Sequence, residues 1–217
     1  MGFLQMNVIF RTSLSLFSIF LIGNSSLVFG DQQVSHIAQQ EDSSESQEVD
    51  LPIKKDWTQE KPKDYHKPEG SIKDYTGHLA SYVLWVDPYI WHEIDRFNPY
   101  AERSFKADNG EIVAFTVVGN LHLNLEGLRQ IIVKNSQGSG LENINVIKEE
   151  KRLVNGTEVL FIHWKAKLNG NDVDFLSYLT SGNFGTVVVH TYTPSSLFNK
   201  NLNTMQDFLN GLVLKAD

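Results

Sequence analysis

The 217-residue chain contains no cysteine. This absence excludes disulfides, thiol nucleophiles, iron–sulfur clusters and every zinc site built on cysteine. Basic side chains are also in the minority, since 19 Lys and Arg stand against 26 Asp and Glu, for a formal net charge of −7. An acidic chain with no basic cluster repels phosphate groups, which argues against nucleic acid and anionic membranes as partners. Without disulfides, an exported form must depend on its hydrophobic core for stability.

The first 30 residues are typical of a secretory signal peptide. Arg11 supplies one positive charge, and residues 12–30 contain no charged side chain. The apolar part is short and ends in small residues before the polar stretch that begins at Asp31. This pattern predicts that 1–30 is cleaved and that the mature chain is exported, to the periplasm or beyond, with no membrane span left. The alternative is an uncleaved anchor, because 19 uncharged residues are just enough to cross a bilayer.

Residues 31–77 have the composition of a disordered polar linker. Gln, Ser and Glu dominate 32–49, and Lys, Asp, Pro and Glu dominate 54–74. Apolar side chains are too sparse there to offset the entropy that is lost when a backbone is ordered. We therefore expect no folded structure before about residue 78, and a single domain over 78–217.

From residue 78 onward the pattern predicts strands joined by tight turns. Asp87 followed by Pro88 is typical of a helix start and predicts a short helical turn that carries Trp91. Asn and Gly readily adopt the positive φ that a tight hairpin requires. The turn sequences are Asp108-Asn109-Gly110, Asn155-Gly156, Asn169-Gly170-Asn171 and Gly182-Asn183. The expected strands between them are 101–107, 111–119, 144–154, 157–168, 173–181 and 185–193. Loops this short make successive strands antiparallel neighbours.

Two segments show the apolar periodicity of a helix. In 124–135 the apolar side chains of one face are Leu125, Leu128, Ile131 and Ile132. In the last segment the apolar stripe consists of Phe198, Leu202, Met205, Leu209 and Leu212. The sequence therefore predicts an α+β domain in which an antiparallel sheet of about six strands is flanked by an early helix and a C-terminal helix.

Several phrases of this sequence recur in one known family. They are Tyr82-Val83-Leu84-Trp85-Val86-Asp87-Pro88 with Trp91, Val154-Asn155-Gly156, Gly185-Thr186-Val187-Val188-Val189 with Thr191-Tyr192-Thr193, and Phe208-Leu209-Asn210-Gly211-Leu212. Over 80–214 the chain resembles the PsbP/Mog1-like α/β/α sandwich family, and in particular its uncharacterised exported bacterial members. The resemblance implies a non-catalytic domain that docks on a larger assembly, as relatives in photosystems or transport do. It implies no cofactor, and its phrases contain no binding residue.

His163 and His190 are the two ionisable side chains set deep in apolar strand sequences. A functional interpretation makes them a two-histidine metal pair, or a base and its partner. Lys165 lies on the face of His163 and indicates that this face meets water at one end. A metal needs further ligands, and the nearest carboxylates, Asp172 and Asp174, lie beyond a turn. We interpret both histidines as structural and expect no catalytic residue.

Three functions remain as hypotheses. The first is an exported, non-catalytic domain that binds a macromolecular partner, a protein of the cell envelope. The second is a carrier of a small apolar ligand, with a groove between the sheet and one helix. The third is a metal-dependent enzyme, which rests on His163 and His190 alone. Most of the abundant aromatic side chains should lie in the core, and any that are exposed together would mark a partner or ligand groove.

Overall fold

The structure, a computed structural model, describes residues 61–79, 82–138, 140–183 and 185–215. The signal peptide predicted for 1–30 and the first part of the linker predicted for 31–77, as far as residue 60, lie outside these residues, so both stay predictions. In the part of the chain that is described, no helix has the length and apolar character needed to cross a membrane.

The described residues form two sheets and two α-helices. The strands are β1 (Lys63–Tyr65), β2 (Lys73–Thr76), β3 (Tyr82–Val86), β4 (Trp91–Ile94), β5 (Ala101–Ala107), β6 (Val113–Gly119), β7 (Leu141–Val154), β8 (Thr157–Leu168), β9 (Asn171–Gly182), β10 (Gly185–Pro194) and β11 (Leu212–Leu214). The helices are α1 (Leu125–Gly138) and α2 (Phe198–Asn210), with a 3-10 turn at Ser195–Leu197 before α2. The main sheet has the order β1-β7-β8-β9-β10-β6-β5-β4, and the small sheet has the order β11-β3-β2.

The prediction of mostly sheet with two helices is confirmed, but the main sheet is larger than expected and is mixed. It has eight strands rather than about six, and β1 pairs with β7 in parallel. The expectation of no folded structure before residue 78 is wrong for β1 and β2. Both strands are polar in composition, but each has one aromatic side chain that binds it to the rest of the fold. Tyr75 of β2 is buried in the core, and the ring of Tyr65 of β1 lies 4.4 Å from the guanidinium of Arg152.

The helical turn predicted after Pro88 extends for one turn only. Asp87 does cap it, because its side-chain Oδ1 accepts a hydrogen bond from the N–H of Tyr89 at 2.8 Å, while its carbonyl accepts from the N–H groups of Ile90 at 3.1 Å and Trp91 at 2.9 Å. The chain then becomes strand β4, since the carbonyl of Ile90 accepts from the N–H of Asp108 at 2.7 Å and residues 91–94 pair with β5. Pairing with β5 therefore replaces the helix that the cap sequence favours.

The hairpin predictions are confirmed by backbone geometry. Asn155 and Asn169 have φ values of 48° and 51°, and the turns that contain them join antiparallel pairs β7–β8 and β8–β9. The C-terminal helix was expected to reach Leu212 but ends at Asn210. A Cβ on Gly211 would lie 1.8 Å from the carbonyl oxygen of Trp85, so only glycine permits this close approach of two backbones, after which the chain pairs with β3 as β11.

Hydrophobic side chains are buried on both faces of the main sheet. On one face α2 and the small sheet cover a core in which Tyr82, Phe105, Met205, Phe208 and Leu209 are almost completely buried. On the other face α1 covers a second group of buried apolar side chains, which includes Leu128, Leu160 and Leu179. The main sheet is thus the central layer of the fold.

Candidate functional site

A cleft of about 750 Å³ lies where β4 and β5 are connected. It is lined by His78, Leu79, Glu93, Ile94, Asp95, Arg96, Pro99, Tyr100, Ala101, Glu102, Arg103, Ser104 and Val118. Beside it, β5 contains a bulge, because Ala101 pairs with Val117 and Arg103 with Thr116, which leaves Glu102 without an opposite residue. A bulge changes the direction of side chains on its strand. Here the side chains of Glu102 and Arg103 both bind the segment 76–79.

Glu102 fixes the part of this segment that forms one wall of the cleft. Its Oε1 accepts hydrogen bonds from the backbone N–H groups of His78 at 2.7 Å and Leu79 at 2.8 Å. Its Oε2 accepts a short hydrogen bond from the hydroxyl of Tyr82. Burial of Tyr82, together with its bond to Glu102, raises the pKa of the phenol. The hydroxyl therefore stays protonated and acts as a permanent donor to Glu102.

Arg103 holds the same segment from the neighbouring position. Its guanidinium donates to Glu93 Oε1 at 2.7 Å and to the carbonyl of Thr76 at 2.8 Å, and it lies 5.4 Å from the ring centre of Tyr75. It also lies 3.0 Å from His78 Nε2. Because arginine has only donors, Nε2 of His78 must be the acceptor in this contact. Arg103 therefore uses these hydrogen bonds to hold the wall of the cleft in place.

The side chains left for a ligand are at the rim. Leu79 is 64% exposed, and Asp95 and Arg96 are exposed beside it. The cleft therefore combines apolar side chains, among them Leu79, Ile94 and Val118, with charges of both signs, which suits recognition by shape and charge. In the described residues, no group of three or more His, Asp or Glu side chains is arranged to hold a metal ion.

His163 lies on the α2 face of the main sheet. Its ring stacks on Phe198, the first residue of α2, with ring centres 4.5 Å apart. Its Nε2 lies 2.7 Å from Oδ1 of Asp174, a carboxylate that is completely buried. The expectation that Asp174 is out of reach beyond the turn is wrong, because antiparallel pairing places Lys165 opposite Asp174 and brings His163 beside it.

His190 lies on the opposite face, among aromatic rings. Its Nδ1 lies 2.7 Å from the hydroxyl oxygen of Ser177, and that oxygen accepts a hydrogen bond from Trp164 Nε1 at 2.9 Å. The ring of Phe115 is 4.7 Å away. Burial lowers the pKa of His190 to about 3, so the ring is neutral. The two histidines are on different faces of the sheet and cannot bind one metal ion together.

The residues that build the cleft were not found by sequence reasoning. Glu102 and Arg103 belong to the sequence AERSFKA, which was interpreted as an ordinary strand. The available signal was the pair of adjacent charges inside that strand, because strict alternation cannot place both on one face. Only the pairing of β5 with β6 shows where the bulge lies.

The comparisons with known proteins identify the fold. No family model and no curated protein matches the sequence. Among solved structures, cyanobacterial PsbP (CyanoP) from Synechocystis superposes with a TM-score of 0.50 at 11% identity, over 68% of this chain and 95% of that one. The fold is PsbP-like. The resemblance drawn from the sequence is thereby confirmed at the level of fold.

Two further structures give lower scores. A Pseudomonas aeruginosa protein of unknown function, described as a putative regulator, has a TM-score of 0.44 at 10% identity, over 67% of this chain and 98% of that one. LpqN of Mycobacterium tuberculosis, described as involved in cell envelope biogenesis, has a TM-score of 0.42 at 13% identity, over 66% of this chain and 90% of that one. Neither of these two similarities identifies a ligand or a partner for this chain.

Proposed function

We propose that this chain is an exported, non-catalytic domain that binds a protein partner in the cell envelope through the cleft beside the bulge of β5. Export rests on the signal peptide predicted for 1–30. Binding rests on the cleft, whose deepest charged groups already bind the chain itself while its rim stays exposed.

The proposal rests on the hydrogen bonds that Glu102 and Arg103 already make within the chain. Glu102 accepts from two backbone N–H groups and a buried hydroxyl, and Arg103 donates to a carboxylate and a carbonyl. Groups held in this way give the cleft a fixed shape. A pre-formed surface lowers the entropy that a partner must give up on binding.

The other two hypotheses have less support. The groove of an apolar carrier was expected between the sheet and a helix, but Met205, Phe208 and Leu209 fill the interface of α2 with almost completely buried side chains. A metal enzyme required His163 and His190 to act together, and the sheet separates them. The charged rim of the cleft favours a protein surface over an apolar ligand.

Cross-linking in the cells that produce the protein tests this function. A photo-reactive side chain at position 100, inside the cleft, should capture one partner of defined mass. Leu79→Ser combined with Arg96→Glu should abolish that product. Ile147→Ser, at an exposed site on β7 near the opposite end of the main sheet, is the matched control and should retain it. A product that survives the double substitution contradicts the proposed site.

A further inference from the structure

Strand β4 is the last strand of the main sheet on the side of the cleft. It pairs with β5 on one side, and no strand among the described residues lies on the other. The edge strand at the far end of the sheet, β1, continues into a tight network around Asn155. The β4 edge is therefore the more open of the two.

The hydrogen-bond pattern shows which backbone groups of β4 point outward. The N–H of Asp108 donates to the carbonyl of Ile90, and bonded positions alternate along an antiparallel pair. Residues 92 and 94 therefore bond to β5, whereas the N–H and C=O of Glu93 point away from it. The N–H of Ala107 donates to the carbonyl of Ile112 on β6 at 3.0 Å, which agrees with this alternation. Glu93 thus presents a donor and an acceptor to an incoming strand.

Features at both ends of β4 favour an incoming chain. Before its start, Tyr89 is 83% exposed and Ile90 is partly exposed. The pairing of Lys73 with Val86 brings Ile72, which is 61% exposed, to the same end. The cleft begins at the other end of β4. An extended segment along this edge would contact exposed apolar side chains first and then enter the cleft.

The charges along the edge select the kind of segment. Asp108 is exposed beside the start of β4, where it lies 3.4 Å from His92, and Asp95 is exposed just after its end. The charge of Glu93 is balanced by Arg103, and Arg96 is the cation at the cleft end. Asp95 and Asp108 thus place an exposed carboxylate near each end of β4, so a basic segment is attracted to this edge and an acidic one is repelled.

We propose that the free edge of β4 binds an extended, basic segment of the protein partner as an additional strand of the main sheet. This inference rests on the proposed function and names the form of its partner. Short, charged edge strands also protect proteins against aggregation. Protection alone does not account for three exposed apolar side chains at one end of the edge and a cleft at the other.

Peptides of about ten residues, long enough for a typical strand, test the proposal on the mature chain. The probe alternates Thr and Lys, a second peptide alternates Thr and Glu, and a third carries Pro at two central Thr positions of the probe. Only the first should bind in fluorescence anisotropy, because Glu repels the edge and Pro removes strand donors. The probe should also slow hydrogen exchange of the Glu93 amide at least about tenfold, as expected for a hydrogen-bonded edge.

Glu93→Pro removes the outward N–H and should weaken binding of the probe at least about tenfold. Glu93→Gln is the matched control, because it loses the same charge and the same ion pair with Arg103 but keeps the N–H. Its loss of affinity for the probe should be clearly smaller than that of Glu93→Pro. Strand addition is wrong if the Thr–Glu peptide or the Pro peptide binds as tightly as the probe, or if the probe leaves hydrogen exchange of the Glu93 amide unchanged. If Glu93→Pro does not fold, hydrogen exchange in the wild-type chain still tests strand addition. If cross-linking to the partner requires Leu79 and Arg96 but is unaffected by Glu93→Pro, the proposed function is retained and strand addition at β4 is wrong.

Discussion

The side-chain nitrogen of Asn155 lies 2.8 Å from the carbonyl oxygen of Asn210, at the end of α2. The same nitrogen donates to the carbonyl of Leu212 at 2.8 Å, and Oδ1 accepts from the N–H of Lys67 at 2.8 Å. The backbone N–H of Asn155 donates to the carbonyl of Tyr65 at 3.0 Å. One turn residue therefore joins three parts of the fold: the chain around β1, the β7–β8 hairpin and the start of β11.

Replacing Asn155 tests this connection. Asn155→Gly keeps the positive φ but removes three side-chain hydrogen bonds, so we expect the free energy of unfolding to fall by about 2–3 kcal/mol, at about 1 kcal/mol for each bond. Asn169→Gly is the matched control, because Asn169 has nearly the same φ in an exposed turn. Urea denaturation measures both variants. Equal stability of the two would show that the bonds of Asn155 contribute nothing.

The two strands before residue 78 lead to a prediction about truncation. A chain that begins at residue 61 retains β1 and β2, and we expect it to melt close to the mature protein. A chain that begins at residue 78 loses Tyr75 from the core and Tyr65 from Arg152, so its Tm should be several degrees lower, as a loss of a few kcal/mol implies. Equal Tm values for the two chains would restore the linker hypothesis for the whole of 31–77.

The helix α2 closes one face of the main sheet, and Leu209 lies at the centre of that contact. Leu209 has no exposed surface, so Leu209→Ala should lower the free energy of unfolding by about 2–5 kcal/mol, the range for a deleted core leucine. Ile147→Ala, at an exposed position, should change it by less than about 0.5 kcal/mol. If Leu209→Ala leaves stability unchanged, α2 does not pack on this face in solution.

The order of the hairpins could be predicted because the local sequence determines it. Asn155-Gly156 and Asn169-Gly170 adopt positive φ, which few other dipeptides do without strain. Strands β1, β2 and β4 could not be predicted in this way, because each is short and at least half polar and forms only through its pairing with another strand. The cap at Asp87 indicates a helix, yet contacts with β5 decide the outcome in favour of a strand. Local propensity is overridden wherever tertiary pairing supplies more free energy.

The candidate site was hidden from the sequence for a related reason. Glu102 and Arg103 form the wall of the cleft only because β5 bulges against β6, and a bulge is a property of two paired strands. His163 and His190 were recognised as unusual from their apolar surroundings, but their faces depend on sheet register. Alternation assigns each histidine to a face within its own strand, and only pairing relates one strand to the next.

The buried ring of His190 makes the fold sensitive to acid. Its pKa is lowered from 6.5 to about 3 by burial, so between these values the unfolded chain binds a proton that the native chain does not. The free energy of unfolding must therefore fall as the pH is lowered from about 6.5 toward 3, by several kcal/mol at about 1.4 kcal/mol per pKa unit. His190→Gln should reduce this slope in urea denaturation at several pH values. His122→Gln, at an exposed position, should not, and equal slopes in all three proteins would contradict the assignment.

Zinc provides the last test, because a metal site is the route by which the strand histidines could support an enzyme. The main sheet lies between His163 and His190, and His163 Nε2 is already 2.7 Å from Asp174. A metal ion that binds only the native state must raise its Tm by mass action, so zinc in excess should leave the Tm of the mature chain unchanged. His163→Gln should behave the same with and without zinc, although the loss of its contact with Asp174 should lower the Tm itself. A zinc-dependent rise in Tm that disappears in His163→Gln would instead show a metal site at Asp174 on the α2 face, and it would favour the metal-dependent enzyme over the non-catalytic domain.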